Sequence, residues 1–188
     1  MKKINSQIIW EWKFTRIELE KWQNRNWETF DWEVVRRANN FPVVSALVEN
    51  ITNQTFVLVE QFRIPVGKKV VELVAWVCDK PWASKIEIIK DEIIEETWYN
   101  AQKIIELSVD SPKSPWIISE LWNSYYAQVI WERWEQNLQD NEDIEVLEFE
   151  KKDLNKFLAS KQKEWILVST WIYSIIGQML ARGINILD

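Results

Sequence analysis

Residues 71–99 read VELVAWVCDKPWASKIEIIKDEIIEETWY, a β-branched run followed by a proline-containing stretch and then by alternating acidic and apolar residues. The β-branched run at its start is typical of a strand, and Pro81 marks a loop after it. Ser84 followed three residues later by Glu87 forms a capping box, which predicts a helix from Ser84 through about Thr97. The segment therefore predicts a strand, a loop and a helix in succession.

The predicted helix concentrates acidic residues in its C-terminal half. Glu92 and Glu96 are i, i+4 neighbours, and Glu92 and Glu95 are i, i+3 neighbours, so their charges repel one another. The helix macrodipole also disfavours negative charge near this end. A hard divalent cation with oxygen ligands, most simply Mg²⁺, would offset the repulsion. The alternative is an acidic helix face that is simply solvated, opposite a buried stripe of Ile86, Ile89 and Ile93.

The flanking sequence predicts strands separated by turns, with two more helices near the end of the chain. The predicted strands span residues 7–11, 14–20, 29–37, 42–48, 55–62, 70–75, 102–107, 124–130 and 144–150. The further helices span residues 152–160 and 170–182, and residues 108–116 are predicted to form a loop. This order of elements indicates a mixed α/β layered domain.

The tryptophan content is anomalous, because the chain holds 14 Trp and only 3 Gly. Trp27 lies where a hairpin favours Asn-Gly, Trp82 follows a proline in a turn, and Trp98 follows the predicted helix where glycine is favoured. Some bacteria decode UGA as glycine, so we interpret most of these Trp as mistranslated Gly. Trp32 is interpreted as a true Trp, and Trp22 is left open. The alternative is a genuine Trp-rich surface that binds sugars or bases.

The overall composition excludes several classes of protein. The chain has 188 residues, a net charge of −6, one cysteine and no histidine. A basic footprint for nucleic acid, an internal disulfide, a Ser-His-Asp triad and a His-ligated zinc site are therefore not expected. The chain shows neither a signal peptide nor a stretch apolar enough to span a membrane, so we expect no membrane partner and a cytoplasmic location.

With Trp replaced by Gly, residues 71–99 resemble the signature of the Nudix hydrolases, G-x5-E-x7-R-E-U-x-E-E-x-G-U, where U is apolar. Glu92, Glu95 and Glu96 match its three right-hand acids, and Trp98-Tyr99 matches its closing pair. Residues 72–75, ELVA, resemble the lead-in of the subgroup that hydrolyses ADP-ribose and nucleoside diphosphate sugars. Further blocks that resemble this subgroup lie at residues 32–37, 60–63, 114–120 and 141–144.

The segment departs from the signature at two linked positions. Ala83 stands where the signature has its first Glu, and Asp91 stands where it has Arg. In the family these two side chains form an ion pair, so losing both leaves no unpaired charge. The loop is also one residue longer, and its DKPW-x-S sequence resembles the UDP-sugar branch when Trp82 is read as Gly.

The resemblance implies a fold, a domain organisation and an assembly. The implied fold is α/β (α+β), a Nudix-type α/β/α sandwich with a mixed sheet, preceded by a small N-terminal antiparallel β subdomain. Residues 1–40 would form that subdomain and contribute to a homodimer interface, and residues 41–188 would form the Nudix domain.

The resemblance also implies a reaction, which is Mg²⁺-dependent hydrolysis of the pyrophosphate bond of ADP-ribose or a related nucleoside diphosphate sugar. Mn²⁺ would be a second metal able to support this reaction. The alternative is a Nudix-fold domain that binds nucleotides without turning them over. The implied metal ligands are Glu92, Glu96 and the Ala75 carbonyl; the implied catalytic residues are Glu95, Glu142 and Glu120; and the candidate substrate-binding residues are Arg37, Arg63 and Trp32.

Overall fold

The computed structural model describes residues 1–130 and 143–184. The chain divides into two compact units. The first unit comprises Met1–Val43 together with Asp110–Trp122, and the second comprises Val44–Val109 together with the described residues from Asn123 onward. Within the described residues, no helix is long and apolar enough to cross a membrane.

The first unit contains a three-stranded antiparallel sheet in the order β1-β2-β3. Its strands are β1 (Lys2–Glu11), β2 (Thr15–Gln23) and β3 (Thr29–Arg37). β2 and β3 form a regular hairpin in which Gln23 faces Thr29. Every residue of β1 is exposed. The N-terminal strands that the sequence predicts are therefore present.

The second sheet has eight strands and mixed polarity. It contains β4 (Val43–Asn50), β5 (Thr55–Arg63), β6 (Lys68–Glu72), β7 (Val74–Val77), β8 (Ala101–Pro112), β9 (Leu121–Val129), β10 (Ile144–Glu150) and β11 (Leu167–Val168). The main path runs β11-β6-β5-β4-β9-β8, while β10 pairs with β5 and β7 pairs with β4. The β11–β6 pair is parallel, whereas β5 is antiparallel to β4, β6 and β10.

Helices cover both faces of this sheet, because alternate residues of its strands enter two different apolar cores. The helices are α1 (Lys85–Thr97), α2 (Leu154–Lys163) and α3 (Thr170–Ala181). In β5, Val57 and Val59 join the core that includes Ile89 of α1. Phe56 and Leu58 join the core built with α2 and α3. The strand period of two therefore produces the three-layered sandwich predicted from the resemblance.

Several boundaries differ from the sequence prediction. The single strand predicted over residues 70–75 is two strands, β6 and β7. β8 continues to Pro112, into residues predicted as loop. On α1, Ile88 is buried and Ile86 is 43% exposed, so the predicted buried stripe was wrong at Ile86. Strand pairing and helix packing decide these points, and neither can be derived from local pattern alone.

Three tryptophans among residues 1–130 and 143–184 have the left-handed backbone conformation that favours glycine. The φ angles of Trp27, Trp98 and Trp165 are 68°, 59° and 64°. Trp27 ends the β2–β3 turn, and Trp98 caps α1 through its N–H to Ile94 O. The sequence suggests glycine at Trp27, Trp82 and Trp98, and a positive φ is the conformation that would require it. Trp27 and Trp98 have that conformation, whereas Trp82, whose side chain is 82% exposed, does not.

Candidate functional site

Helix α1 begins with the predicted capping box. The Ser84 side chain accepts a hydrogen bond from the Glu87 N–H, and the Glu87 carboxylate accepts one from the Ser84 N–H at 2.7 Å. This backbone hydrogen bond, together with the Ser84 side chain, lowers the pKa of Glu87. Two amide donors at the helix start are satisfied in this way, which fixes where the helix begins.

The acidic residues of α1 differ in exposure. Glu92 and Glu96 are 4% and 3% exposed, Glu95 is half-buried, and Asp91 is exposed. Glu92 and Glu96 therefore do not belong to a fully solvated acidic helix face, which was the alternative considered from the sequence. Buried carboxylates in proteins are paired with other groups or bind a metal, so the burial of Glu92 and Glu96 is compatible with a role as metal ligands.

The donors predicted for a metal lie on neighbouring elements of the second unit. Glu92 and Glu96 are one turn apart on α1, and Ala75 belongs to β7, which packs against α1. Carboxylate and carbonyl oxygens suit Mg²⁺ or Mn²⁺, and Mg²⁺ commonly keeps several waters. These donors therefore fit the implied metal chemically. Among the described residues, no three His, Cys, Asp or Glu side chains are close enough together to form a metal-binding group.

The loop before α1 contains an ion pair of reversed polarity relative to the family signature. Lys80 Nζ lies 3.5 Å from Asp91 Oδ2. The signature takes its anion from the loop and its cation from the helix, whereas here the loop supplies the cation and the helix the anion. The Lys80–Asp91 pair thus links the loop before α1 to α1 itself, the same two segments that the ion pair of the signature links. Cys78 in this loop is half-buried, and burial raises the pKa of its thiol, which does not suit a nucleophile.

Arg63, predicted to bind substrate, is held by a carboxylate of the second unit. Its Nε and Nη2 both contact Glu72 Oε2 at 2.6 Å. Arg63 ends β5 and Glu72 ends β6, and these strands are antiparallel neighbours. Glu72 therefore fixes the orientation of Arg63, the side chain that the sequence suggests as a phosphate-binding residue.

Arg37 has an equivalent partner in the first unit. Its Nε donates a hydrogen bond to Glu120 Oε1, and Trp122 Nε1 donates to Glu120 Oε2 at 2.6 Å. The structure thus brings together a predicted substrate-binding residue and a predicted catalytic residue. The third catalytic candidate, Glu142, lies outside the described residues.

The first unit also contains an apolar cleft with a volume of ≈ 410 Å³. Trp32, which is 47% exposed, lines it and donates a hydrogen bond from Nε1 to Trp116 O at 2.7 Å. Trp22 lines the same cleft, and its Nε1 donates to Glu20 Oε2 at 2.9 Å. The other lining residues are Met1, Glu20, Phe30, Val34, Pro115, Trp116, Ile117, Ile118 and Ser119. An aromatic cleft of this kind can accept a flat ring.

Glu20, which the sequence reasoning missed, is buried beside this cleft at 2% exposure. Lys3 and Arg36 both contact its Oε1 at 2.5 Å. Burial alone would raise the pKa of Glu20, but the hydrogen bonds from Lys3, Arg36 and Trp22 outweigh it and lower the pKa. Local pattern gave no signal for it, because the alternation of Ile17 and Leu19 with the glutamates of β2 predicts that Glu20 faces solvent. The pairing of the hairpin instead places Glu20 opposite Trp32.

No known protein-family profile matches the chain. The chain is 26% identical over 127 residues to the methanol dehydrogenase activator of Bacillus methanolicus, which aligns 68% of this chain with 65% of that protein. The chain thus spans about two thirds of that relative's length. It also resembles the crystal structure of an ADP compounds hydrolase, with a TM-score of 0.65, 17% identity and coverage of 82% of each chain. The predicted architecture is confirmed, and this chain has the fold of a Nudix hydrolase.

Proposed function

We propose that this protein is a Mg²⁺-dependent hydrolase that cleaves the pyrophosphate bond of ADP-ribose or a related nucleoside diphosphate sugar. The products are a nucleoside monophosphate and a sugar phosphate. The observation that carries the proposal is the burial of Glu92 and Glu96 on one side of α1, beside β7. The likeness of this chain's fold to that of an ADP compounds hydrolase supports a small nucleotide compound as substrate.

Each group of residues has a distinct role in this proposal. The Glu92 and Glu96 carboxylates and the Ala75 carbonyl would hold Mg²⁺, or Mn²⁺ in its place. When bound, the metal neutralises diphosphate charge and makes water a better nucleophile. Arg63 in the second unit is a candidate to bind phosphate oxygens through its guanidinium group, and Arg37 is the corresponding candidate in the first unit.

The remaining residues bind the ring and manage the proton. Trp32 stacks on the base in the first-unit cleft. A water oxygen forms a bond to one phosphorus atom, the bridging P–O bond breaks, and a carboxylate takes the proton released by the water. Glu142 is the leading candidate for this base, and Glu95 is the other carboxylate proposed near the reacting group.

We also propose a cytoplasmic homodimer in which residues 1–40 contribute to the interface and 41–188 form the Nudix domain. The exposed strand β1 supports this, because it presents Ile8, Ile9 and Trp10 to solvent, with exposures of 50%, 55% and 48%. An unpaired strand edge with apolar side chains favours pairing with another chain. Sedimentation equilibrium of the intact chain tests the dimer, and a monomer at all micromolar concentrations would contradict it.

A non-catalytic nucleotide-binding domain is the second candidate function. Two observations favour it, namely the replacement of the signature pair by Ala83 and Asp91, and the similarity to an activator of another enzyme. This domain would bind the same nucleotide sugars without breaking the phosphoanhydride.

One experiment separates the two functions. The chain, and a form with glycine restored at the turn tryptophans, are incubated with Mg²⁺ and a panel of ADP-, UDP- and GDP-sugars, and the products are separated by chromatography. Release of nucleoside monophosphate and sugar phosphate supports the hydrolase. Binding without cleavage supports the second candidate, and neither binding nor cleavage contradicts both.

A further inference from the structure

One face of the β2–β3 hairpin presents a carboxylate among aromatic rings. Glu20 lies opposite Trp32 and Trp22 lies opposite Phe30, and opposite residues of antiparallel strands share a face of the sheet. All four side chains line the first-unit cleft. The cleft volume of ≈ 410 Å³ is within the range of about 300–1,000 Å³ that is typical of small-molecule sites. The cleft can therefore offer a flat ring both a stacking surface and a polar contact.

The Glu20 carboxylate has one acceptor position left. Among the described residues, Lys3 and Arg36 donate to its Oε1 and Trp22 Nε1 donates to its Oε2. An ionised carboxylate offers about four lone-pair positions, two on each oxygen, so Oε2 can accept one more hydrogen bond. Burial would raise the pKa of Glu20, but these three donors lower it, so at neutral pH the group is ionised and can only accept.

The charges around Glu20 do not favour a cationic ligand, although aromatic clefts can bind ammonium groups. Lys3 and Arg36 pair with Glu20, and Arg16 and Arg36 pair with the neighbouring Glu18, so three cations already balance two carboxylates. A further positive charge would be repelled by this excess. A neutral N–H donor avoids that repulsion and still fills the open acceptor position.

Five N–H groups along the cleft are already occupied. The indole N–H groups of Trp22 and Trp32 both donate within the unit, and the backbone N–H groups of residues 117–119 donate to the carbonyls of Ser114 and Val35. A ligand carbonyl placed against these groups would lose its hydrogen bonds to water without replacement, which is costly. An amino group on the ring would instead gain a charged acceptor.

From this geometry we infer that Glu20 determines which base the first-unit cleft accepts, and that the cleft selects a ring with an exocyclic amino group, such as adenine, over uracil. The amino group donates to Glu20 Oε2 while the ring stacks on Trp32. This inference rests on the proposed function, because it specifies the base of the nucleotide sugar. It concerns binding within the first unit alone.

The test uses nucleosides without added metal, so that the phosphate and metal contacts of the proposed reaction play no part. Adenosine is compared with purine riboside, which lacks the amino group, and with uridine. Each is titrated into the intact chain carrying isotope-labelled tryptophan, and the NMR shift of the Trp32 indole N–H, assigned with Trp32→Phe, gives the dissociation constant. We expect adenosine to bind at least about tenfold more tightly than the other two, because its amino group gains a hydrogen bond to a charged acceptor.

Glu20→Gln should abolish this preference, because the glutamine amide presents N–H where the carboxylate presented only acceptors. Adenosine should bind about tenfold more weakly, and its advantage over purine riboside should fall below about threefold. If Glu20→Gln does not fold, the same substitution combined with Lys3→Met, which removes the cation that Glu20 balances, carries the same expectation.

A matched control lies on the same strand and the same face. Glu18 is 6% exposed and also pairs with Arg36, but it does not line the cleft. Glu18→Gln therefore removes a comparable buried charge from the same ion-pair network. It should leave the ratio of adenosine to purine riboside affinity unchanged.

Four results would overturn the inference. They are equal affinity of the intact chain for adenosine and purine riboside, an unchanged ratio in Glu20→Gln, an equal fall of the ratio in Glu18→Gln, and no shift of the Trp32 signal with any nucleoside. The outcome is separable from the proposed hydrolysis. A chain that cleaves nucleotide sugars but shows no preference for the amino group would keep the hydrolase and contradict this inference, and the preference without cleavage would do the reverse.

Discussion

Trp165 and Gly183 occupy the same position of the same helix-terminating motif, with φ angles of 64° and 69°. After α2, Trp165 N–H bonds to Gln162 O and Ile166 N–H to Lys161 O. After α3, Gly183 N–H bonds to Leu180 O and Ile184 N–H to Met179 O. This Schellman pattern requires a residue with a left-handed backbone conformation. Glycine adopts that conformation without strain, and tryptophan does not.

Trp165→Gly and Trp27→Gly should therefore each stabilise the chain by about 1 kcal/mol, because left-handed strain is relieved at side chains that are 81% and 80% exposed. Urea unfolding measures the change. Trp82→Gly is the matched control, since Trp82 is equally exposed but lacks a positive φ, and it should give no gain.

The reverse substitution at the equivalent site completes this comparison. A Cβ at Gly183 would meet no atom within 4 Å, so Gly183→Ala should cost about 1 kcal/mol through backbone strain alone. Equal effects at all three tryptophans would contradict the conformational explanation. The codons provide a separate check, since UGG at Trp76, Trp82 and Trp98 would contradict the glycine interpretation.

Glu96→Gln should abolish Mg²⁺-dependent turnover while leaving the fold intact. The substitution preserves the shape of a side chain that is 3% exposed but removes the charge that a metal ligand needs. We expect kcat to fall by at least about a hundredfold, with an unchanged circular dichroism spectrum. Asp91→Asn is the control on the exposed side of the same helix, and its turnover should fall by less than about threefold. Unchanged activity in Glu96→Gln would remove the metal assignment.

The ion pair between Lys80 and Asp91 predicts that exchanging their two charges restores the stability that each single substitution removes. Lys80→Glu and Asp91→Lys should each destabilise the chain slightly, and combining them should restore the loss. Because both side chains are exposed, the coupling energy should be about 0.5 kcal/mol and should decrease in high salt. A double-mutant cycle by urea unfolding at two salt concentrations measures it. Additive losses at low salt would show that the two charges do not interact.

The buried contacts of Glu60 with two lysines predict that the folded protein loses stability in acid. It is 3% exposed and contacts Lys69 at 2.9 Å and Lys161 at 2.7 Å. Burial alone would raise its pKa, but the hydrogen bonds from Lys161 and Lys69 outweigh burial and lower it. A lowered folded-state pKa stabilises the fold above the ordinary value of 4.5, and this contribution disappears as the pH falls through the folded value.

Glu60→Gln should therefore cost about 3 kcal/mol at pH 7 and reduce the dependence of stability on pH between 7 and about 3. Urea unfolding across this range measures both effects. Glu150→Gln, which alters an ion pair with both side chains exposed, is the control and should change neither by more than about 0.5 kcal/mol. A pH profile of Glu60→Gln parallel to that of the unaltered chain would assign the acid loss to other carboxylates.

Local sequence was sufficient to predict where α1 begins and ends. The capping box at Ser84 and the left-handed cap at Trp98 depend only on neighbouring residues, so both were predictable. The alternation of Phe30, Trp32 and Val34 with polar residues likewise predicted β3. A continuous β-branched and apolar run predicted β5, which is buried on both faces. The type and order of the main elements thus follow from short-range pattern.

The candidate site depended on contacts distant in sequence. Arg37 and Glu120 are 83 positions apart, and Trp32 and Trp116 are 84 apart, yet each pair is hydrogen-bonded. No local pattern predicts that residues 110–122 join the first unit. Burial of Glu92 and Glu96 also depends on what packs over α1.

The sequence by itself determined which residues form the helices, turns and strands of this protein, and which carboxylates have the chemistry of metal ligands. Only the tertiary structure decided which of those carboxylates are buried, which arginine each glutamate holds, and that an aromatic cleft exists. The physical reason is that backbone propensity acts over a few residues, whereas burial and ion pairing depend on segments brought together by folding.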